Sequence, residues 1–333
     1  MKKFNGKAIY NPSGAAGEYS YWGCNLVVGC SNGCEYCYCK KGILKGVMGM
    51  DKPQLKKCLV DEITAFEIFK REGLINKTEL QKHGLFFSFT TDPMLPEFEG
   101  LTWSCIMFCN ENKIPVKILT KLAGWVEDTL YWLDRSNSDN ADREWRKLIA
   151  FGFTLTGHDE LEKGASTNAE RIEGMRLLHE AGFPTFTSIE PIIDFESSLK
   201  MIEQSAPYCN LFKIGLLSGG KYKKKEAFKF MCDVIHPIRE NNSKVYFKDS
   251  ILELTGRGRI ELNTYDCVTR KYNLFTGADT CMEKCESCEN EFDIEEMHMD
   301  DAGNWFCPEC WKELAPVMRA EYEEMVLKGE IEA

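Results

Sequence analysis

Three cysteines near the start of the chain constrain its fold more than any other feature. Cys30, Cys34 and Cys37 are spaced by three and then two residues. One tight loop can wrap thiolates at this spacing around a cubic iron–sulfur cluster, because thiolates are the ligands that such clusters take. Three protein ligands leave one iron open, so the spacing predicts a 4Fe-4S cluster with room for a further ligand.

A zinc site or a redox-active cysteine pair is the alternative interpretation of this loop. Zinc sites favour paired two-residue spacings and four ligands, whereas the first spacing here is three residues. Cys24 and Cys39 flank the loop and are second choices as ligands. The spacing therefore favours Cys30, Cys34 and Cys37.

The loop resembles the signature of the radical S-adenosylmethionine (radical SAM) superfamily, with Tyr36 at the aromatic position before the last ligand. The resemblance implies that S-adenosylmethionine (SAM) binds the open iron. It also implies that one electron from the reduced cluster cleaves SAM into methionine and a 5′-deoxyadenosyl radical, which abstracts hydrogen from a substrate. A reductant such as flavodoxin or ferredoxin would then be a partner.

The composition favours a globular protein of a reducing compartment. The 333 residues are 44% hydrophobic and 12% aromatic, which suits a well-filled core. No run of about 18 apolar residues occurs and no apolar signal core follows the N-terminus, so we expect a cytoplasmic protein without membrane contact. In such a compartment the 16 cysteines favour metal binding over disulfides.

The net charge of −11 is concentrated in the C-terminal tail. Residues 281–333 contain 4 Lys and Arg against 16 Asp and Glu, a net charge of −12. Residues 1–280 contain 37 basic and 36 acidic side chains and are therefore nearly neutral. The acidic tail means that the overall charge does not exclude a nucleic-acid substrate, although no strongly basic face indicates one.

Predicted strands and helices alternate along most of the chain. The strands cover residues 84–90, 116–120, 149–154, 185–189, 211–215 and 244–248. A helix is predicted from Asp51 to Gly73, and another from Asn168 to Ala181. This α/β alternation predicts a partial (β/α)6 TIM-type barrel over residues 1–280, with its functional groups at the C-terminal ends of the strands. The resemblance of the cysteine loop implies that it is a radical SAM barrel.

Polar side chains stand at the ends of four of these strands, namely Thr91, Lys121, Thr154 and Glu190. The carboxyl ends of barrel strands share one rim, where hydroxyls, an ammonium and a carboxylate can bind a zwitterionic nucleoside cofactor. A narrower resemblance rests on residues 87–93, 119–121, 168–182 and 189–193. These segments resemble the spore photoproduct lyase-like branch, also labelled DNA repair photolyase, over roughly residues 20–250. The resemblance implies that these four residues contact SAM and that Tyr36 packs near its adenine.

Phe89 departs from that branch. It stands where the lyase has the cysteine that returns a hydrogen atom to the thymine radical. Phenylalanine cannot donate that hydrogen, so we do not expect thymine-dimer repair by this route unless Cys39, Cys105 or a tyrosine substitutes. The substrate stays open among a nucleic acid or nucleotide, a peptide and a small metabolite.

The tail has a metal motif of its own. Cys285 and Cys288 form one two-residue knuckle, and Cys307 and Cys310 form a second after a spacer of 18 residues. Four such thiolates fit a tetrahedral ion, so we predict a zinc-ribbon-like domain over residues 281–333 that needs its metal to fold. An auxiliary iron–sulfur cluster is the rival, because Cys281 extends the first knuckle to the three-two spacing. Residues 315–328 predict an acidic amphipathic helix.

The sequence thus predicts a radical SAM enzyme, lyase- or oxidoreductase-like, that abstracts hydrogen from an unidentified substrate. The alternative is a non-catalytic metal-binding adaptor that acts through its zinc ribbon. The intact cysteine loop argues against this alternative.

Overall fold

The computed structural model describes residues 3–135, 141–258, 266–279, 282–288, 291–293, 297–299, 304–314 and 316. The chain separates into two compact units, Met1–Thr276 and Gly277–Ala333. The division falls near the change in composition at residue 281.

The first unit is built on an eight-stranded sheet. Its strands and a small side ribbon are β1 (Ile9–Tyr10), β2 (Gly23–Cys24), β3 (Val27–Val28), β4 (Gln54–Leu55), β5 (Leu85–Phe87), β6 (Val116–Thr120), β7 (Ile149–Thr154), β8 (Thr185–Ile192), β9 (Leu211–Leu216) and β10 (Lys244–Phe247). The sheet order is β1-β2-β5-β6-β7-β8-β9-β10, and β3 pairs with β4 apart from it. Every neighbouring pair from β2 to β10 is parallel, and β1 runs antiparallel to β2.

Helices connect most of these strands. They are α1 (Gly14–Gly17), α2 (Glu62–Ile75), α3 (Lys77–His83), α4 (Glu99–Glu111), α5 (Val126–Arg135), α6 (Ala141–Arg146), α7 (Asn168–Glu180), α8 (Phe195–Ser205), α9 (Lys224–Asp233), α10 (Ile235–Glu240) and α11 (Asp249–Thr255). Helix α7 has a capping box, in which Thr167 and Glu170 satisfy each other's backbone N–H groups. Gly182 follows it at φ 87°, where a side chain would be strained. The predicted bounds of α7 are therefore confirmed to within a residue.

The predicted start of the helix at Asp51 is wrong. Residues 54 and 55 pair with β3 instead, and helix α2 begins at Glu62. The Asp61 side chain accepts a hydrogen bond of 2.7 Å from the backbone N–H of Thr64, which satisfies one of the free donors of the first turn. The N-cap is thus Asp61, ten residues after the predicted start at Asp51, and the apolar periodicity alone did not locate it.

One face of the sheet is concave. Phe86 in β5 and Tyr246 in β10 belong to one buried cluster, although five strand positions, about 24 Å in a flat sheet, separate them. Tyr19 joins the two sides, because its ring centroid lies 5.4 Å from that of Phe86 and 5.4 Å from the Lys213 ammonium, which lies 5.2 Å from the Tyr246 ring. The sheet therefore curls into a partial barrel, which confirms the predicted fold class. It contains seven parallel strands, one more than the six predicted.

The outer face of the sheet packs against the helices in a second, larger core that includes Phe69, Ile118, Phe151 and Ile214. Burial of both faces explains why strands such as β5, β7 and β9 are largely apolar in sequence. Within the described residues, no helix combines the length and the apolar character that crossing a bilayer requires.

The second unit contains two short antiparallel pairs. Strand β11 (Met282–Lys284) pairs with β12 (Glu291–Asp293), and β13 (His298–Met299) pairs with β14 (Trp305–Phe306). A small buried cluster joins Cys285, Met297, Phe306 and Cys307. Almost all of the predicted acidic helix over residues 315–328 lies outside the described residues.

Candidate functional site

Hydroxyls at the end of β5 hold the chain that leads into the cysteine loop. Thr90 Oγ1 donates to the carbonyl of Val27 at 2.6 Å, and Thr91 Oγ1 donates to the carbonyl of Gly29 at 2.6 Å. The backbone N–H of Cys30 donates to the carbonyl of Met50 at 2.9 Å. The Thr91 hydroxyl proton is thus used within the protein. Its oxygen still has acceptor capacity, and its contact with SAM stays a prediction.

Asp92 joins the cysteine loop to two strand ends. Its carboxylate accepts from Asn32 Nδ2 at 2.8 Å, from Thr120 Oγ1 at 2.6 Å and from the backbone N–H of Lys121 at 2.7 Å. Asp92 is 8% exposed, so these charge-assisted bonds form in a largely dry site. The sequence motif contained Asp92 without indicating this role.

The three loop cysteines are free thiols in unequal environments. Burial, followed by the nearby Asp92 carboxylate, raises the pKa of Cys30 to about 12. Burial also raises the pKa of Cys34, against the opposing effect of the Lys121 ammonium. A hydrogen bond with Cys39 is the main cause that lowers the pKa of Cys37 to about 6. Cys39 thus lies beside Cys37, within hydrogen-bonding distance of its sulfur.

The three loop thiols do not lie as close together as the ligands of a single ion do. In the part of the chain that the structure describes, three or more ligand atoms within 4.8 Å of one another occur in the tail and not among Cys30, Cys34 and Cys37. A cubic cluster holds its ligand sulfurs further apart than one ion does, because the cube lies between them. Asn32 Oδ1 is buried beside these thiols and has no hydrogen-bond partner, so the loop offers an acceptor to a bound group.

Lys121 and Tyr36 meet at one buried carboxylate. The Tyr36 hydroxyl donates to Glu162 Oε1, and the Lys121 ammonium lies 3.8 Å from the same oxygen. The Lys121 ammonium also lies 5.6 Å from the centroid of the Tyr36 ring. Burial, together with Glu162, raises the pKa of the Tyr36 hydroxyl far above its usual range, so that hydroxyl stays a hydrogen-bond donor.

The loop between β7 and α7 (residues 155–167) carries Glu162 and lies along the cysteine loop. The backbone N–H of Glu35 donates to the carbonyl of Leu161 at 3.0 Å. The backbone N–H of Gly164 donates to the backbone carbonyl of Asn32 at 2.9 Å. Gly164 is required there, since a Cβ would stand 2.4 Å from the carbonyl oxygen of Ser31. No sequence motif marked this loop, and Glu162 is the residue that sequence reasoning missed.

Thr154, the third predicted SAM contact, is buried at the end of β7. Its carbonyl accepts from Arg171 at 2.7 Å, and Arg171 also pairs with Glu162 at 2.6 Å. Thr154 is therefore connected through Arg171 to Glu162, the carboxylate beside Lys121. A direct role for its hydroxyl stays a prediction.

Glu190 lies in a different network within the barrel. Its Oε2 accepts from the Tyr19 hydroxyl at 2.6 Å and from the Lys248 ammonium at 2.6 Å. Lys248 also lies 3.4 Å from Glu18, and Lys213 donates to the carbonyl of Glu18 at 2.7 Å. Burial lowers the pKa of Lys213 well below its usual range. The two inward lysines thus bind the segment around Glu18, and the contact of Glu190 with SAM stays a prediction.

The surroundings of Phe89 bear on which residue could return a hydrogen atom to a substrate radical in place of the missing cysteine. Its ring stacks on Phe86 with centroids 4.6 Å apart, and its carbonyl accepts from the Tyr38 hydroxyl. Cys39 Sγ lies 3.9 Å from the same carbonyl. Cys105, in contrast, is fully buried in the outer core, so it is excluded as the substitute that the sequence left open.

The four tail cysteines converge. Their sulfur atoms all lie within 4.8 Å of one another, and Cys288 Sγ lies 4.0 Å from Cys307 Sγ. Tetrahedral zinc with bonds of about 2.3 Å places its sulfurs about 3.8 Å apart. The backbone N–H of Cys310 donates to Cys307 Sγ at 3.4 Å, which orients that sulfur. The site therefore has the dimensions of one ion.

No family model matches the chain, and no curated protein matches it. Among solved structures, a double mutant of spore photoproduct lyase with bound AdoMet (SAM) and dinucleoside spore photoproduct matches with a TM-score of 0.51 at 14% identity. That match covers 69% of this chain and 77% of the other. At this identity the similarity establishes the fold alone, which this chain shares with spore photoproduct lyase.

Two further structures match with lower TM-scores. A single mutant of spore photoproduct lyase has a TM-score of 0.42 at 14% identity, and the match covers 97% of this chain and 77% of the other. Streptococcus suis SuiB bound to S-adenosylmethionine has a TM-score of 0.41 at 12% identity, with 68% of this chain and 47% of the other covered.

Proposed function

We propose that this chain is a radical SAM enzyme. The observation that carries the proposal is the position of the cysteine loop, at the carboxyl ends of the strands of a radical SAM barrel and beside the Lys121 ammonium. In this proposal Cys30, Cys34 and Cys37 hold a 4Fe-4S cluster. Bound there with SAM, the cluster supplies the electron that cleaves SAM reductively and so starts radical chemistry.

The residues around the loop bind and orient in this proposal. The Lys121 ammonium, only 17% exposed, offers a positive charge to an anionic group of SAM. Thr91, Thr154 and Glu190 are further SAM contacts, and Tyr36 packs beside the adenine. The buried Asp92 network keeps the loop and the strand ends at fixed separations, so the site is organised before ligands bind.

The substrate follows less directly from the site. Phe89 argues against thymine-dimer repair through a cysteine at this position, as the sequence predicted. A nucleotide or nucleic acid is the first substrate class to test, since the spore photoproduct lyase that shares this fold holds a dinucleoside. The electron donor in this proposal is a flavodoxin or ferredoxin.

Electron paramagnetic resonance of the anaerobically reconstituted, dithionite-reduced protein tests the proposal. We expect a reduced-cluster signal that changes on addition of SAM, together with release of methionine and 5′-deoxyadenosine. A protein that assembles no cluster at the first loop, but holds metal in its tail, would contradict the enzyme hypothesis. That result would favour the metal-binding adaptor instead.

For the tail we propose one zinc ion bound by Cys285, Cys288, Cys307 and Cys310. Its sulfur spacing supports a single ion over an auxiliary cluster. Because the buried cluster among the described residues of this unit is small, we expect its folding to depend on the metal.

Replacing Cys307 by serine is expected to remove about one zinc per chain and to unfold the tail, since a hydroxyl is a poor ligand for zinc. Metal analysis and limited proteolysis measure the two effects. Replacing the exposed Cys232 by serine is the matched control and should leave zinc bound. Iron and sulfide at the tail, in place of zinc, would contradict the assignment.

A further inference from the structure

A single buried carboxylate organises the groups that face the cysteine loop. Glu162 accepts the Tyr36 hydroxyl on Oε1, lies 3.8 Å from the Lys121 ammonium, and pairs through Oε2 with Arg171 at 2.6 Å. Tyr36 lies between two of the proposed cluster ligands in sequence. Lys121 is close enough to Cys34 and Cys37 to affect the pKa of both thiols. Glu162 thus connects to the loop through Tyr36 and through Lys121.

Glu162 cannot itself reach a ligand. Its side chain is 0% exposed, whereas that of Lys121 is 17% exposed. Any effect of Glu162 on a bound molecule must therefore pass through Lys121 or Tyr36. A lysine needs such a constraint, because its ammonium sits on a flexible four-carbon stem that loses rotamer freedom whenever it is fixed.

Arg171 fixes Glu162 in turn. Its guanidinium donates to Glu162, to the carbonyl of Thr154 at 2.7 Å and to the carbonyl of Ser166 at 2.8 Å. These three bonds use the rigid fork of arginine and connect the end of β7 to the loop over residues 155–167. The backbone N–H of Ser166 donates to the carbonyl of Lys121 at 3.0 Å, so the same loop also holds the main chain of the lysine.

We propose that Glu162, held by Arg171, is a positioning residue that places the Lys121 ammonium and the Tyr36 hydroxyl for SAM binding beside the cysteine loop. This inference rests on the function proposed above and deepens it. Its physical basis is preorganisation: the ordering of Lys121 is completed during folding, so less conformational entropy is lost when SAM binds. Without the carboxylate, the ammonium has to be ordered by the ligand itself.

The test compares two buried glutamates that undergo the same chemical change. In Glu162→Gln the carboxylate beside Lys121 becomes neutral. In the control, Glu72→Gln, the altered carboxylate is also buried but accepts the backbone N–H groups of Lys7, Ala8 and Ile9. A second variant, Glu162→Gln with Arg171→Gln, removes both charges of the buried pair and so avoids an unpaired buried guanidinium. All are measured as full-length, reconstituted proteins.

We expect Glu162→Gln and the double variant to weaken SAM binding about 10- to 100-fold, by analogy with the loss of a hydrogen-bond partner that orients a metal ligand. The affinity is read from the change of the reduced-cluster resonance signal as SAM is added. Iron content and the midpoint of thermal unfolding are measured beside it. Glu72→Gln is expected to lower the unfolding midpoint and to leave SAM affinity unchanged.

Two results would overturn the inference. One is a Glu162 variant, single or double, that folds and binds SAM as the wild type does. The other is an equal loss of SAM affinity in Glu72→Gln, because the effect would then follow from general destabilisation. Failure of the wild-type protein to assemble a cluster or to respond to SAM is a different outcome, which contradicts the proposed function itself.

Discussion

Replacing Cys34 by alanine is expected to abolish SAM cleavage. Cys34 is the central of the three proposed ligands, in a loop held by the Asn32–Asp92 and Tyr36–Glu162 contacts. The cluster carries the chemistry, so a chain without it should fall to the uncatalysed rate, a loss of about 10⁶-fold or more. The measurements are iron and sulfide content and the release of 5′-deoxyadenosine under reducing, anaerobic conditions.

The control for this prediction is another cysteine-to-alanine change. Cys58 is exposed and lies outside the loop, so Cys58→Ala should retain about four irons and full SAM cleavage. The variant Cys39→Ala separates the flanking cysteine from the ligands, and we expect it to keep the cluster as well. Cluster loss in Cys39→Ala but not in Cys34→Ala would show that the ligand assignment is wrong.

Replacing Arg171 by methionine is expected to produce the largest change in stability. Arg171 and Glu162 are both 0% exposed, and removal of one partner leaves a buried charge without compensation. Such a loss lowers the free energy of unfolding by about 3–5 kcal/mol. The carbonyls of Thr154 and Ser166 also lose their donors, which adds to the effect. Urea unfolding of the cluster-free protein, followed by tryptophan fluorescence, measures the change without a contribution from the cluster.

Arg176 provides the matched control on the same helix. It pairs with Glu173 and Glu180 at 2.6 Å each, but these pairs lie on the surface of α7. Exposed ion pairs are screened by water and salt, so Arg176→Met should unfold close to the wild type. If Arg171→Met were no less stable than Arg176→Met, the buried pair would not support the fold in the way described.

The predictions that succeeded depend on short stretches of sequence. Helix α7 is bounded by a capping box at Thr167 and by Gly182, and both signals act within one helical turn. The strands β7 and β9 are largely apolar runs and are buried along their whole length, because both faces of the sheet are covered. The helix predicted at Asp51 failed for the opposite reason. Its first residues are held by pairing with β3, a contact that periodicity does not encode.

The candidate site likewise combines residues that local sequence identifies with residues that only distant contacts bring together. Cys30, Cys34 and Cys37 are identifiable because one loop must supply all three thiols, so their spacing is itself the chemical constraint. The partners of Tyr36 and Glu190 are not identifiable in this way. Tyr36 meets Glu162 across 126 positions of the chain, and Glu190 meets Tyr19 across 171. Glu162 appeared in the sequence as an ordinary charged residue, and Glu190 was predicted as a SAM contact without its partners Tyr19 and Lys248.

The amino-acid sequence by itself determined the cysteine loop, the two knuckles of the tail and the order of strands and helices, because these depend on spacings within one loop or one element. Only the tertiary structure decided which polar groups stand beside the loop and that the tail site has the size of one ion. The physical reason is curvature: a sheet that curls brings residues from distant strands into one dry interior. There a buried charge is retained only with a partner, and folding alone selects that partner.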